Sequence, residues 1–144
     1  MAQKGVKLLY IVVGLSVMVL MLLSLGSEPV THARLGMVVD GSLIARMPKD
    51  CESVMVHFYS QNCVVCERVR GMLAQLPMAQ RRCWLGVATH GSALAQESLF
   101  GHQVLDHGEL AVDWGVARVP ETFVVHQGRV VDLWDKVHQY EALL

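Results

Sequence analysis

Hydrophobic residues along this chain form one long run near the N-terminus and several shorter segments after residue 50. The long run covers residues 6–25, and Lys7 is its one charged residue. Residues 8–25 are uncharged, and their number is about the minimum that crosses a bilayer as a helix. The pattern therefore predicts one N-terminal transmembrane helix that contacts the lipid bilayer through residues 8–25.

The residues that flank this run predict its orientation. Lys4 and Lys7 lie on its N-terminal side, and the first acidic residue is Glu28. This charge bias favours a cytoplasmic N-terminus and an exported, extracytoplasmic or periplasmic remainder, held as a single-pass protein in the inner membrane. A retained anchor is favoured over a cleaved signal peptide, because a cleavable apolar core is usually about 7–15 residues long. The small residues Ser24 and Gly26 suit a signal peptidase, so cleavage stays open.

The rest of the chain alternates between strand-like runs and helical periodicity. Residues 27–50 indicate a linker and a short peripheral strand or hairpin, and residues 51–144 one α/β domain. Alternating strands and helices followed by a hairpin predict a mixed central sheet with helices on both faces. The predicted strands are 53–59, 83–88, 104–105, 122–126 and 129–134, and the predicted helices are 63–76, 93–100, 108–114 and 137–144.

Composition narrows the function classes. Of the twelve Lys and Arg residues, only Lys4 and Lys7 precede residue 27, so ten remain against thirteen Asp and Glu. This mildly acidic part has no basic run, which excludes nucleic acid from the expected partners. Four cysteines in an exported domain of this size indicate redox chemistry or a structural disulfide.

Cys63 and Cys66 form a Cys-x-x-Cys motif that follows a predicted strand and opens a predicted helix. Unpaired N–H groups and the helix dipole stabilise a thiolate at that position. Cys66 lies about one turn further on, close enough for a disulfide. We therefore expect Cys63 to be the exposed nucleophile and Cys66 to be the half-buried resolving thiol.

Other functions use the same spacing. A zinc site needs a second pair of ligands, and neither Cys51 and Cys83 nor the seven histidines are spaced to supply one. We therefore expect no metal site of that kind. A carrier of a soft ion such as Cu(I) and a redox-inert scaffold both stay open.

Two segments resemble the thioredoxin superfamily, and within it the membrane-tethered TlpA/DsbE-type branch of extracytoplasmic thioredoxins. The first segment, residues 54–66, is similar to the family's strand, loop and active-site motif. The second, residues 114–125 followed by 128–130, resembles the family's conserved proline segment and hairpin. Its Pro-Glu-Thr-Phe sequence, residues 120–123, is similar to that of cytochrome c maturation thioredoxins.

The resemblance implies a thioredoxin-like fold and a thiol–disulfide oxidoreductase that works through a redox-active disulfide without a cofactor. It implies a cis peptide bond between Val119 and Pro120 beside the disulfide, with Tyr59 and Glu121 as supporting residues. An ordinary trans proline and a solvated Glu121 are the alternatives. The implied partners are an exported protein substrate, such as apocytochrome c or a metal-site assembly factor, and a membrane electron donor of the thiol–disulfide type.

Three departures from the family pattern concern the active site. Asn62 replaces the usual aromatic residue, and the dipeptide between the cysteines is Val64-Val65. Because these valines offer the thiolate no charge or side-chain donor, they favour a reducing couple and hence the reductase direction. His57 stands where thioredoxins have a buried acid, and is either a general base for Cys66 or a core histidine without a catalytic role.

The remaining cysteines flank two predicted strands. If the strands that follow Cys51 and begin at Cys83 are parallel neighbours, both cysteines lie at the edge of the sheet opposite the active site. A structural disulfide is then favoured over two free thiols.

Overall fold

A computed structural model describes residues 35–89 and 99–144 of the chain. The predicted anchor, the first part of the linker and most of the helix predicted over 93–100 lie outside the described residues. Within these two ranges, no helix has the length and apolar character needed to cross a membrane.

The described chain alternates strands and helices. Its strands are β1 (Ser53–Tyr59), β2 (Trp84–Ala88), β3 (His102–Leu105), β4 (Glu121–His126) and β5 (Arg129–Trp134). Its helices are α1 (Gly41–Ile44), α2 (Val64–Leu73), α3 (Met78–Arg81), α4 (Glu109–Trp114) and α5 (Val137–Glu141).

The strands form one mixed sheet in the order β3-β2-β1-β4-β5. β1 pairs in parallel with β2, β2 pairs in parallel with β3, and β4 is antiparallel to both β1 and β5. The β4–β5 turn places Gln127 and Gly128 at positive φ, 49° and 73°, as a tight two-residue hairpin requires. The mixed sheet predicted from the sequence is confirmed.

Each face of the sheet carries an apolar core, because neighbouring side chains of a strand point to opposite sides. Val56 and Phe58 of β1 pack in the first core with Trp114 and Phe123. Tyr59 packs in the second core with the apolar stripe of α2. Helices therefore lie on both faces, as predicted.

The N-terminal region contains a short strand-like pairing and then a helix. Three backbone hydrogen bonds join residues 36–39 to residues 128–130, and Val38 forms a bridge with Arg129, where a short peripheral strand or hairpin was expected. The chain then turns into α1. Asp40 starts this helix by accepting a 2.7 Å hydrogen bond from the amide of Ser42. A four-residue spacing brings three apolar side chains into the first core, namely those of Val39, Leu43 and Met47.

Helix α3 was absent from the expected elements. Helix α2 ends at Leu73, three residues before the predicted end, and hydrogen-bonded turns continue to Leu76. Pro77 then follows as the N-cap of α3. The chain gains one short helical turn before β2.

Candidate redox site

The Cys-x-x-Cys motif lies where β1 passes through a short loop into α2. Cys63 is the N-cap of α2, and its sulfur accepts a 3.0 Å hydrogen bond from the amide of Cys66. A sulfur held by a helix N-terminal amide is stabilised as a thiolate when the pair is reduced. This geometry is the one that the strand, motif and helix order predicts.

Cys63 and Cys66 form a disulfide with 5.1 Å between their Cα atoms. Cys63 is partly exposed, whereas Cys66 is fully buried, deeper than the half-buried position expected from the sequence. Between them, Val64 is 82% exposed. An incoming group therefore has access to Cys63 and to the apolar tip of the motif, but not to Cys66.

The peptide bond between Val119 and Pro120 is cis and lies beside the disulfide. The sulfur of Cys63 is 3.5 Å from the carbonyl oxygen of Val119. The two residues are 56 positions apart in sequence and both are partly exposed, so a sulfur atom and a backbone carbonyl lie side by side at one place on the protein.

The two expected supporting residues are both interior. Glu121 is 7% exposed at the start of β4, so the alternative of a solvated strand-end residue does not describe it. Tyr59 is fully buried, and its hydroxyl donates a 3.1 Å hydrogen bond to Oε1 of Gln103. Tyr59 therefore links the end of β1 to β3 below the motif.

His57 is fully buried among aromatic rings. Its ring centroid lies 5.6–6.0 Å from those of four neighbours in the second core, namely Tyr59, Trp84, Phe100 and Tyr140. Because Cys66 belongs to the same core, the structure brings the histidine and the resolving cysteine into one buried region.

A buried chain of hydrogen bonds holds the His57 ring. Nδ1 lies 2.8 Å from Oγ1 of Thr122, which lies 2.8 Å from the hydroxyl of Tyr140, and that hydroxyl donates to the carbonyl of Trp134 at 3.3 Å. Because a carbonyl only accepts, Tyr140 donates to it, Thr122 donates to Tyr140, and His57 donates from Nδ1. Nε2 then carries the lone pair, and it has no hydrogen-bond partner among the described residues.

Burial sets the charge state of this region. Desolvation, with a smaller contribution from the positive charge of Arg70, lowers the pKa of His57 from 6.5 to about 3. Desolvation likewise raises the pKa of Tyr140 well above its usual value. Both side chains are therefore neutral at pH 7.

Thr122 and Tyr140 were not singled out in the sequence. Thr122 lies in the segment that resembles the thioredoxins, and Tyr140 lies in the predicted closing helix. The chain offers no local signal for their contact with His57, because 65 residues separate His57 from Thr122. The antiparallel pairing of β1 with β4 sets Thr122 opposite His57, and the packing of α5 brings Tyr140 to the same place.

The other two cysteines are joined at the far end of the sheet. Cys51 and Cys83 form a disulfide with 5.7 Å between their Cα atoms. The parallel register explains the contact, because Met55 pairs with Trp84 and its amide donates to the carbonyl of Cys83 at 3.0 Å. This disulfide joins the starts of β1 and β2, whereas Cys63 follows the end of β1.

Among the described residues, no further metal ligand lies beside Cys63 and Cys66 to support the metal-carrier alternative. Across residues 35–89 and 99–144, no three side chains of His, Cys, Asp or Glu come together as a metal-binding group. Thioredoxin-like oxidoreductases work through a redox-active disulfide and need no cofactor.

No protein-family model and no curated protein matches this chain. Solved structures do match it. The N-terminal domain of PilB from Neisseria gonorrhoeae has a TM-score of 0.51 and 16% identity, over 69% of this chain and 77% of that one. A thiol:disulfide interchange protein from Bacteroides sp. has a TM-score of 0.50 and 17% identity, over 76% of this chain and 87% of that one. At these identities the likeness shows the fold, and it confirms the predicted thioredoxin-like α/β fold.

Proposed function

We propose that this protein is a thiol–disulfide oxidoreductase that reduces disulfides in exported proteins. The observation that carries the proposal is the position of Cys63. Cys63 is partly exposed at the start of α2. Its sulfur accepts a hydrogen bond from the amide of Cys66 and lies 3.5 Å from the carbonyl oxygen of Val119. This surface combines a stabilised nucleophile with backbone groups that suit an extended substrate segment.

The proposed reaction moves two electrons. A dithiol donor first reduces the Cys63–Cys66 disulfide. The Cys63 thiolate then attacks a substrate disulfide, forms a mixed disulfide and displaces one substrate thiolate. The proton of Cys66 passes to the substrate thiolate already displaced, and the Cys66 thiolate attacks the Cys63 sulfur, which releases the second substrate thiolate and restores the intramolecular disulfide. Its burial lets Cys66 act only after Cys63 has engaged the substrate.

The reductive direction rests on the dipeptide between the cysteines. Val64 and Val65 offer the thiolate neither charge nor a side-chain hydrogen bond, and the exposed Val64 also adds an apolar surface for the substrate. Less thiolate stabilisation means a less stable reduced pair and a stronger reductant. The hydrogen bond from the amide of Cys66 stabilises the thiolate and so makes the pair a weaker reductant. Every helix N-terminus supplies such a donor, however, so this bond does not distinguish this protein.

His57 takes a supporting role in this proposal. With a pKa of about 3 it cannot hold a proton taken from a thiol at neutral pH without a large free-energy cost. Its Nε2 can still accept a hydrogen bond in the core that contains Cys66. We therefore assign His57 as a neutral hydrogen-bond acceptor within the core that contains Cys66, and not as a general base. Glu121, buried beside Pro120, is assigned to tuning the same site.

We further propose that residues 8–25 anchor the protein in the inner membrane, with the redox domain on the extracytoplasmic side. The length and charge flanks of that run support this arrangement. A membrane electron donor with a dithiol would then supply the reducing equivalents, and cytochrome c maturation or related assembly would supply the substrates.

Reduction of insulin by dithiothreitol tests the proposed activity. The wild-type protein should accelerate insulin precipitation, and Cys63→Ser should reduce the rate to that of dithiothreitol alone. Far-ultraviolet circular dichroism of both proteins controls for folding. Equal rates for folded wild type and folded Cys63→Ser would contradict the proposal.

A further inference from the structure

A groove separate from the redox site lies between residues 45–49 and β3. Its volume is about 610 Å³. Its apolar lining includes the buried side chains of Met47, Leu85 and Val104, which also belong to the first core. These three side chains lie beneath the groove and are at most 8% exposed, so the apolar surface open to a ligand comes mainly from Leu105, which is 45% exposed.

The rim of this groove is positively charged. Arg46, Lys49 and His102 line it, all three are exposed, and no Asp or Glu is among the lining residues. Neither Arg46 nor Lys49 forms an ion pair with any residue that the structure describes. Two permanent positive charges therefore border a groove whose own lining contains no acid, while Asp106 and Glu109 line a neighbouring cavity that Arg46 also borders.

We propose that this groove binds an anionic group attached to an apolar chain. The guanidinium and ammonium groups of Arg46 and Lys49 suit a carboxylate or a phosphate, and the exposed side chain of Leu105 suits a hydrocarbon chain. The volume falls within the roughly 300–1,000 Å³ that small-molecule sites occupy. An uncharged apolar ligand would leave both cations unused, and a cationic one would meet repulsion.

The site is independent of the disulfide chemistry. His102 and Leu85 pair with each other near the starts of β3 and β2, whereas Cys63 follows the end of β1, which runs parallel to β2. Occupation of the groove therefore does not require the proposed oxidoreductase activity. A free fatty-acid-like amphiphile and an anionic lipid headgroup share the chemistry that the groove recognises.

Methyl NMR tests the proposal on the full chain, labelled with ¹³C at the methionine methyl groups and held in nanodiscs of zwitterionic lipid. Met47 lines the groove and is its reporter, assigned with Met47→Leu, whereas Met78 is 68% exposed elsewhere and is the internal control. Octanoate is titrated as the free anion, octyltrimethylammonium as its cationic counterpart. A second arm replaces the zwitterionic lipid by phosphatidylglycerol.

A saturable shift of Met47 but not Met78 is expected with octanoate, and a shift without added ligand in phosphatidylglycerol discs would assign the anion to the lipid. Arg46→Gln with Lys49→Gln should weaken the response at least tenfold. Arg68→Gln with Lys136→Gln removes the same charge elsewhere and should not. An unresponsive Met47 in both arms, an equal response to the cation, or an unchanged affinity in the groove variant would overturn the proposal.

Discussion

A histidine enclosed by aromatic rings must bury its two nitrogens along with its carbon atoms. In His57, the chain through Thr122 and Tyr140 satisfies one nitrogen and leaves Nε2 as an acceptor. Because burial lowers the pKa to about 3, the ring is neutral at every pH at which the protein is expected to work. The thioredoxins that the sequence resembles have a buried acid at this position, whereas His57 is neutral at pH 7.

The depressed pKa of His57 predicts a pH dependence of stability. The unfolded chain binds a proton at this histidine below about pH 6.5, whereas the folded protein resists it until about pH 3. Between these values the unfolded state holds more protons, so the free energy of unfolding falls as the pH falls. The full effect is roughly 4–5 kcal/mol, measured by urea denaturation at a series of pH values.

His57→Phe isolates this contribution. At pH 7 the variant should be less stable than wild type, because Thr122 loses a buried partner. The difference should shrink as the pH falls from 6.5 towards 3, since phenylalanine does not titrate. His138→Gln, a change at an exposed histidine, should leave the pH profile parallel to wild type. A constant gap between wild type and His57→Phe would show that His57 is not buried as a neutral ring.

At the scale of elements, local patterns predicted most of what positions the redox pair. The β-branched and aromatic run gave β1, and Pro77 marked the end of the helical segment that opens at Cys63. These features depend on neighbours in sequence, so periodicity and turn residues report them.

The same local patterns could not predict contacts between elements that are distant in sequence. The acceptor role of His57 depends on β4 and α5, and the full burial of Cys66 depends on the packing of α2 against the sheet. Before residue 50, residues 36–39 pair with residues 128–130, whereas the second apolar run begins in α1. The four-residue spacing of Val39, Leu43 and Met47 stabilises a helical turn only when the three side chains can pack against a face of the sheet.

Two glycines offer a matched test of how α2 and β2 pack. A Cβ at Gly86 in β2 would lie 2.5 Å from the Phe100 ring, whereas a Cβ at Gly71 in α2 meets nothing within 4 Å. Gly86→Ala should therefore lower the free energy of unfolding by about 1–3 kcal/mol, because a packed ring must move. Gly71→Ala should raise it by about 0.5–1 kcal/mol, since alanine favours the helix.

Chemical denaturation of the two variants beside wild type measures both effects. Opposite signs are required, because the substitution is the same and only the surroundings differ. A neutral Gly86→Ala would mean that Phe100 does not cover β2 as described.

On the scale of the whole molecule, the two disulfides lie at opposite ends of the sheet and have different roles. Cys51–Cys83 closes a separation of 32 residues at the starts of β1 and β2, and Cys63–Cys66 closes one of 3 residues at the other end. A long closed loop restricts the unfolded chain more than a short one does, so the first bond contributes mainly stability. The second is left free to open and close during exchange.

Removing each bond in turn tests this division. Cys51→Ala with Cys83→Ala should lower the free energy of unfolding by roughly 3–4 kcal/mol on the loop-entropy estimate. Cys63→Ala with Cys66→Ala should lower it by less, measured by denaturation of both variants in the absence of reductant. A larger loss for the second pair would contradict the assignment of Cys51–Cys83 as the stabilising bond.

In the proposed mechanism, the sulfur of Cys63 attacks the substrate and the sulfur of Cys66 resolves the mixed disulfide. The most direct measurement is trapping with a substrate peptide that contains a disulfide, added to the reduced protein and analysed by non-reducing mass spectrometry. Cys66→Ala should accumulate a mixed disulfide at Cys63, because no buried thiol remains to release it. Cys63→Ala should form little or none, since Cys66 is fully buried. Equal trapping by the two variants, or trapping at Cys66 alone, would contradict the proposed mechanism.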